Sequence, residues 1–171
     1  PVPDSLPTDI AVDAEGRVWF TMRAANQIGC LVVTSTVDYV FYTYTVPTSG
    51  SEPYGIGVDS SGAIWFTEWA GNKIGRLVVT STTEYTFTEF TVPTTDSHPA
   101  KLDIAPNGEV WFTENRGNKL ARLVFTSTTD YRFDEYEIPT ANGEPLGVAF
   151  NGKPKDSTLA SEVWFTLYGA G

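Results

Sequence analysis

The sequence predicts an all-β fold, a β-propeller of four-stranded antiparallel blades, and three observations carry that prediction. One five-residue segment recurs four times, as Val18-Trp19-Phe20-Thr21-Met22, Ile64-Trp65-Phe66-Thr67-Glu68, Val110-Trp111-Phe112-Thr113-Glu114 and Val163-Trp164-Phe165-Thr166-Leu167. The intervals between its tryptophans are 46, 46 and 53 residues, and the surplus in the last falls in the polar stretch 151–160, which reads as a loop insertion. Each unit also holds four short segments rich in Val, Ile, Thr, Tyr, Phe and Trp, parted by Gly, Asn, Asp and Pro, which is a strand-and-turn pattern. A repeat of this length is one supersecondary unit that cannot bury its apolar face alone and so stacks on its neighbours. Four strands with a Trp in the second is the pattern of a propeller blade.

Taken in order, the first unit supplies strands A to D at about 9–13, 17–23, 27–33 and 39–46. The second supplies them at 54–59, 63–69, 73–79 and 85–92. There Ser61-Gly62 turns A into B and Gly71-Asn72 turns B into C, both pairs tolerating positive φ. Thr80-Ser81-Thr82-Thr83 links C to D, and Pro93, lacking an N–H for a ladder, ends the unit. The third unit repeats the set at 100–105, 109–115, 119–126 and 131–138. The fourth has only A (146–150) and B (162–167) before Gly169-Ala170-Gly171, while Pro1-Val2-Pro3 matches the D-strand endings Val46-Pro47 and Val92-Pro93. No stretch has helical periodicity or a capping box leading into a run, so helix is expected to be near absent. The chain thus reads as a single repeat domain of about three and a half blades, at 4–47, 50–93, 96–139 and a half-blade at 142–171.

Trp and Phe in each B strand point to opposite faces and are read as packing residues at all four positions. Three and a half blades leave open sheet edges and an exposed flank. The expected partner is therefore a second copy of the chain or a complementary propeller half. The insertion, with Lys153 and Lys155, stands beside the short blade and is read as a cover for an open edge.

Composition bounds the function classes. At 171 residues, 41% hydrophobic and 13% aromatic, the chain has ample core material. A net charge of −10 with scattered Lys and Arg gives no basic footprint for nucleic acid. No apolar run has the length of a membrane span and no signal-peptide pattern opens the chain, so a soluble protein of open compartment is expected. Cys30 is the one cysteine, so no intrachain disulfide forms.

The unit Glu52-Pro53-Tyr54-Gly55-Ile56, Ile64-Trp65-Phe66-Thr67-Glu68-Trp69, Gly71-Asn72-Lys73-Ile74-Gly75-Arg76-Leu77, Glu89-Phe90-Thr91-Val92-Pro93-Thr94 resembles a blade of the virginiamycin B lyase (streptogramin B lyase) family, and the resemblance runs the whole chain. It implies a seven-bladed propeller about twice this length. For true members it also implies an enzyme that opens a cyclic depsipeptide antibiotic at its ester bond by elimination, helped by Mg²⁺ in a central channel. In that family the catalytic His directly follows the Pro that heads strand A, and a Glu ends the WF-x-E segment. In this chain the His slot holds Thr8, Tyr54, Ala100 and Leu146, whereas Glu68 and Glu114 match the Glu slot and Met22 and Leu167 do not. The single His, His98, precedes Pro99 instead.

The candidate site residues follow. Glu68 and Glu114 are read either as a channel-rim base or cation ligand, or as carboxylates satisfied by loop N–H groups and paired with Lys73 and Lys119. Tyr54, His98 and Lys101 are candidate ligand-binding residues, with blade packing as the competing role for Tyr54 and a solvated loop for His98. Asp13, Asp59 and Asp103 are expected to cap the turns after strand A. Cys30 takes the slot of Arg76 and Arg122 and is expected to be a strand C residue without catalytic duty. There is no Gly-rich phosphate loop, nucleophile elbow or metal-ligand His cluster. Three functions stay open: a lyase-like propeller half without lyase activity of its own, a non-catalytic propeller binding a small molecule in its channel or a protein, and a streptogramin B lyase.

Overall fold

The computed structural model describes residues 3–81, 83–151 and 162–169; the Pro1-Val2 segment and most of the 151–160 insertion lie outside them. The described residues divide into two compact units, Pro1–Thr91 and Val92–Gly171. Their regular elements are β-strands, and the repeat read from the sequence is the repeat of the sheets.

In the first unit β1 (Pro7–Val12), β2 (Val18–Met22), β3 (Gln27–Val33) and β4 (Tyr39–Thr45) form one antiparallel meander, and β5 (Pro53–Val58), β6 (Ile64–Glu68), β7 (Lys73–Val79) and β8 (Tyr85–Thr91) form the next. β1 packs along β5, with Trp19, Ile28, Tyr44, Ile56, Ile64 and Phe66 in a shared core. In the second unit β9 (Pro99–Ile104), β10 (Val110–Glu114), β11 (Lys119–Phe125) and β12 (Tyr131–Glu137) form a third meander, and β13 (Pro145–Asn151) and β14 (Glu162–Leu167) a two-stranded sheet. There β13 packs on β9, and Val148, Phe150 and Val163 cover Ala105, Trp111 and Leu120.

The threonine of the repeating segment explains how one sheet attaches to the next. Each A strand breaks register just after its leading proline, between Pro7 and Ile10, Pro53 and Ile56, and Pro145 and Val148. A bulge leaves an N–H without a ladder partner. The B-strand threonine supplies one: Thr67 Oγ1 accepts from Gly55 N–H at 2.8 Å, and Thr21 Oγ1 from Asp9 N–H at 3.1 Å. The same hydroxyl donates forward, from Thr21 to the Tyr54 carbonyl at 2.9 Å and from Thr113 to the Leu146 carbonyl at 2.8 Å. Asn side chains of the B–C turns pin the following D–A loop, Asn26 Oδ1 accepting from Ser51 N–H and Asn118 Oδ1 from Gly143 N–H.

The aspartates divide. Asp13 and Asp59 close the A–B turns as expected, accepting the N–H groups of Glu15 and Arg17, and of Ser61 and Ala63. Each also accepts the indole Nε1–H of its own sheet, from Trp19 or Trp65, at 2.8 Å. Asp103 corrects the expectation: it lies within β9 and accepts the Phe150 N–H at 2.7 Å, joining the two sheets of its unit. The turn slot belongs to Ala105, so the buried indole Nε1 of Trp111 has no partner. The packing role foreseen for all four repeating tryptophans holds for Trp19, Trp65 and Trp111. Trp164 is 64% exposed because no described strand follows β14 to cover it.

Candidate functional site

Glu68 and Glu114 end β6 and β10, the positions where the family resemblance puts a functional carboxylate, and both are fully buried. The sequence makes room for them with glycine. A Cβ on Gly71 would come within 2.7 Å of Glu68 Oε2 and 3.1 Å of the Ser51 Cβ, and one on Gly117 within 2.7 Å of Glu114 Oε2. Neither oxygen of either carboxyl has a hydrogen-bond partner. Both carboxyls are thus closed off from solvent in this chain, and the direct bonds of the two lysines go elsewhere.

Lys73 and Lys119 bond a different carboxylate. Lys73 Nζ lies 2.8 Å from Glu89 Oε2, and Lys119 Nζ 3.1 Å from Glu135 Oε2. Thr48 and Thr94 complete each cluster, giving their backbone N–H and hydroxyl to the same two glutamates. This divides the charge. Burial would raise Glu89, but its bonds from Lys73 and Thr48 outweigh that and hold it below the usual range; Glu135 is held down in the same way. Glu68, desolvated first by burial and then opposed by the Glu89 charge, is pushed up to about 8 against the attraction of Lys73. Glu114 is also pushed up to about 8, by burial and by Glu135. Each cluster thus sets a carboxyl that holds its proton to higher pH near an ionised one that is bonded to a lysine. A general base has to reach the proton that it removes, and both carboxyls are shut off from solvent.

Glu89 and Glu135 are the residues that sequence reasoning missed, although the signal was there. Where Glu68 and Glu114 are replaced by Met22, Lys73 and Lys119 give way to Gln27, and Glu89 and Glu135 to Thr43. The three positions change together across the repeats because they form one cluster.

The other candidates are dispersed. Tyr54, in the slot of the family histidine, rests its ring on Trp69 at a centroid distance of 5.1 Å. The Arg23 guanidinium, anchored by Glu52, lies 5.7 Å above that ring and 5.8 Å from the Trp69 ring. Tyr54 is thus part of an Arg–aromatic cluster at the head of β5. His98 has φ of 51° and its Nε2 lies 3.0 Å from Asp96 Oδ1, one residue before the strand head; the loop position was foreseen, but the ring is mostly buried. Lys101 lies inside β9, partly buried. As to Mg²⁺, hard cations take several converging oxygen ligands. Among the described residues no three His, Cys, Asp or Glu side chains are grouped to hold a metal, and the carboxylate whose charge acts on Glu68 or Glu114 is itself bonded to a lysine. The donor set does not fit the ion.

Four-stranded antiparallel meanders, repeated and latched sheet to sheet by a strand-B threonine, define the chain as a β-propeller protein. The chain belongs to the virginiamycin B lyase family, whose sequence description matches residues 1–171. It is similar to virginiamycin B lyase from Staphylococcus aureus at 30% identity and a TM-score of 0.81, covering 99% of this chain and 51% of that one. A streptogramin B lyase structure matches at 34% identity and a TM-score of 0.80, covering 98% and 50%. A catalytically inactive S. aureus virginiamycin B lyase with quinupristin matches at 32% identity and a TM-score of 0.79, covering 99% and 51%. The chain therefore spans about half the length of these solved relatives. The periplasmic gluconolactonase of Pseudomonas aeruginosa, at 13% identity and a TM-score of 0.68, shares the fold alone. No curated protein matches the chain in sequence.

Proposed function

We propose that the chain is a lyase-type propeller half whose outer sheet faces dock on matching blades, in a second copy or a complementary half, and whose own residues are scaffold without lyase activity. The observation that carries the reading is a contrast between equivalent positions. Ile56, in the core shared by the two sheets of the first unit, is 5% exposed, while Ile10 in the same slot of β1 is 64% exposed. In the last sheet Trp164 is 64% exposed, where Trp19 in the same slot of the first is 1% exposed in the shared core. Both faces carry residues that elsewhere in this chain are packed against a neighbouring sheet, and apolar faces of that kind mark association surfaces.

The absence of activity rests on the site residues. None of the four strand-head slots holds His, and the two glutamates in the family slot are interior groups. Light scattering over a range of concentrations tests the first half of the proposal: a species of twice the 18.7 kDa chain mass is expected. Incubation with a streptogramin B and Mg²⁺, followed by mass spectrometry, tests the second. No linearised product above the no-protein control is expected, and its appearance would overturn the scaffold reading in favour of the lyase.

A further inference from the structure

The first sheet has an opening beside a position where the second and third sheets each carry an arginine. In β7 Arg76 stands across from Trp65 and its guanidinium carbon lies 5.5 Å from the indole centroid. In β11 Arg122 stands across from Trp111 at 5.3 Å. The same row of β3 holds Cys30, whose short side chain cannot reach over Trp19. Arg17 reaches there from the turn before β2, at 5.5 Å, so the cation over the indole is restored from another backbone position. The short Cys30 side chain leaves space beside it. This space is a cavity of about 270 Å³ whose lining includes Arg17, Cys30, Tyr42 and Tyr44 on one side and Val79 and Thr80 on the other.

The chemistry of the lining selects an occupant. Arg17 gives Nε to Asp13 Oδ2 at 2.6 Å and Nη2 to Glu15 Oε2 at 3.2 Å, which fixes the guanidinium and leaves Nη1 available to an acceptor. Two phenols and the Thr80 and Ser81 hydroxyls add hydrogen-bonding capacity at the wall. The remainder is apolar or aromatic, and burial pushes the Cys30 thiol up to about 11, so that it stays neutral. An enclosed apolar void of ~150 Å³ already admits benzene, and small-molecule sites combine such walls with a few fixed polar groups. Planar groups also stack well on guanidinium and aromatic faces. We infer that this groove binds a molecule of a single planar aromatic ring carrying an acceptor oxygen, the ring between the Cys30 and Val79 walls and the oxygen toward Arg17. The inference rests on the first unit alone and is independent of how the outer faces are covered.

The test uses benzamide and benzoate as probes, followed by saturation-transfer NMR and by ¹H–¹⁵N shift mapping on the whole chain. Saturable binding is expected, with shifts centred on Cys30, Val32, Val79 and Thr80. Binding of both probes means that Arg17 acts as a hydrogen-bond donor, and binding of benzoate alone that it acts as an ion-pair partner; either result supports the site. The variant Arg17→Ala/Cys30→Arg/Tyr42→Thr installs the second sheet's own residues, Ala63, Arg76 and Thr88, in the same slots. It is expected to weaken binding at least tenfold while its circular dichroism stays that of the parent. No saturable binding of either probe, shifts centred elsewhere, or equal affinity in a folded triple variant would overturn the inference. Should the triple variant not fold, the shift map of the unaltered chain decides alone.

Discussion

Ala105→Asp should stabilise the protein, which is unusual for placing a carboxylate beside a buried tryptophan. In the first unit the residue at this slot is Asp13 or Asp59, and each takes an indole Nε1–H at 2.8 Å. The third repeat has Ala105, and the Trp111 Nε1–H is buried without an acceptor. An unmet buried donor costs about 1–3 kcal/mol. Against this stands the desolvation of a new carboxylate, and Asp59 shows which effect prevails where the bonds come from backbone, hydroxyl and indole groups. Burial alone would raise its pKa, yet its bonds from Ser61, Trp65 and Ala63 leave it lowered. The turn at Ala105 has the same backbone form, with the Ala105 N–H given to the Glu109 carbonyl at 2.9 Å and the Gly108 N–H to the Ala105 carbonyl at 2.8 Å. A net gain of about 1 kcal/mol is expected at pH 7, and with it a rise in melting temperature of roughly 2–4 °C. Urea and thermal unfolding followed by circular dichroism measure it, with Asp59→Ala as the reverse control, expected to lose about 1–3 kcal/mol. If Asp59→Ala is destabilising while Ala105→Asp is neutral or worse, the indole bond is not the source of the turn's stability and the reasoning fails.

Three more outcomes follow from the same geometry. Glu68 and Glu114 have folded-state values raised from 4.5 to about 8, so the folded protein binds more protons than the unfolded one across that window. Their contribution is thus full below pH 4.5 and declines as pH rises to about 8; Glu68→Gln should flatten that decline and stabilise the protein by a few kcal/mol at pH 8–9, as read from urea midpoints at a series of pH values. Gly71→Ala forces a methyl within 2.7 Å of Glu68 Oε2 and 3.1 Å of the Ser51 Cβ. A loss of about 1–3 kcal/mol is expected, and Gly71→Ala/Glu68→Ala should recover part of it in the same urea titration. Trp65→Ala removes a buried ring stacked on Phe90 at 5.9 Å. Its expected cost of about 3–5 kcal/mol is measured by thermal unfolding, and an unchanged melting temperature would contradict the packing role.

The strands were legible because alternation and turn chemistry are local properties. Gln27–Val33 and Lys73–Val79 fall at the expected bounds, and most others differ by a residue or two at their ends. The site was less legible, for a physical reason. Whether Glu68 faces solvent or the sheet interior depends on Gly71 and Ser51, one on each of two separate loops, and a linear motif does not show their approach. The joint change of Met22, Gln27 and Thr43 carried that information, but only for a reader comparing rows of the repeat instead of single columns. Asp103 was misplaced by the same limit: two residues before Ala105, it lies on the strand and not in the turn.

The threonine latch has a consequence for how such a protein changes over generations. Thr21 and Thr113 hold the next sheet by the carbonyl oxygens of Tyr54 and Leu146, and every residue type offers that oxygen. The attachment therefore places no demand on the side chain at the strand head. Tyr54 and Leu146, unlike in size and polarity, occupy one slot at two such joints and are held by the same bond. Assembly is written in the main chain and chemistry in the side chain of the same residue, so a catalytic group can be gained or lost at that position while the architecture is inherited intact.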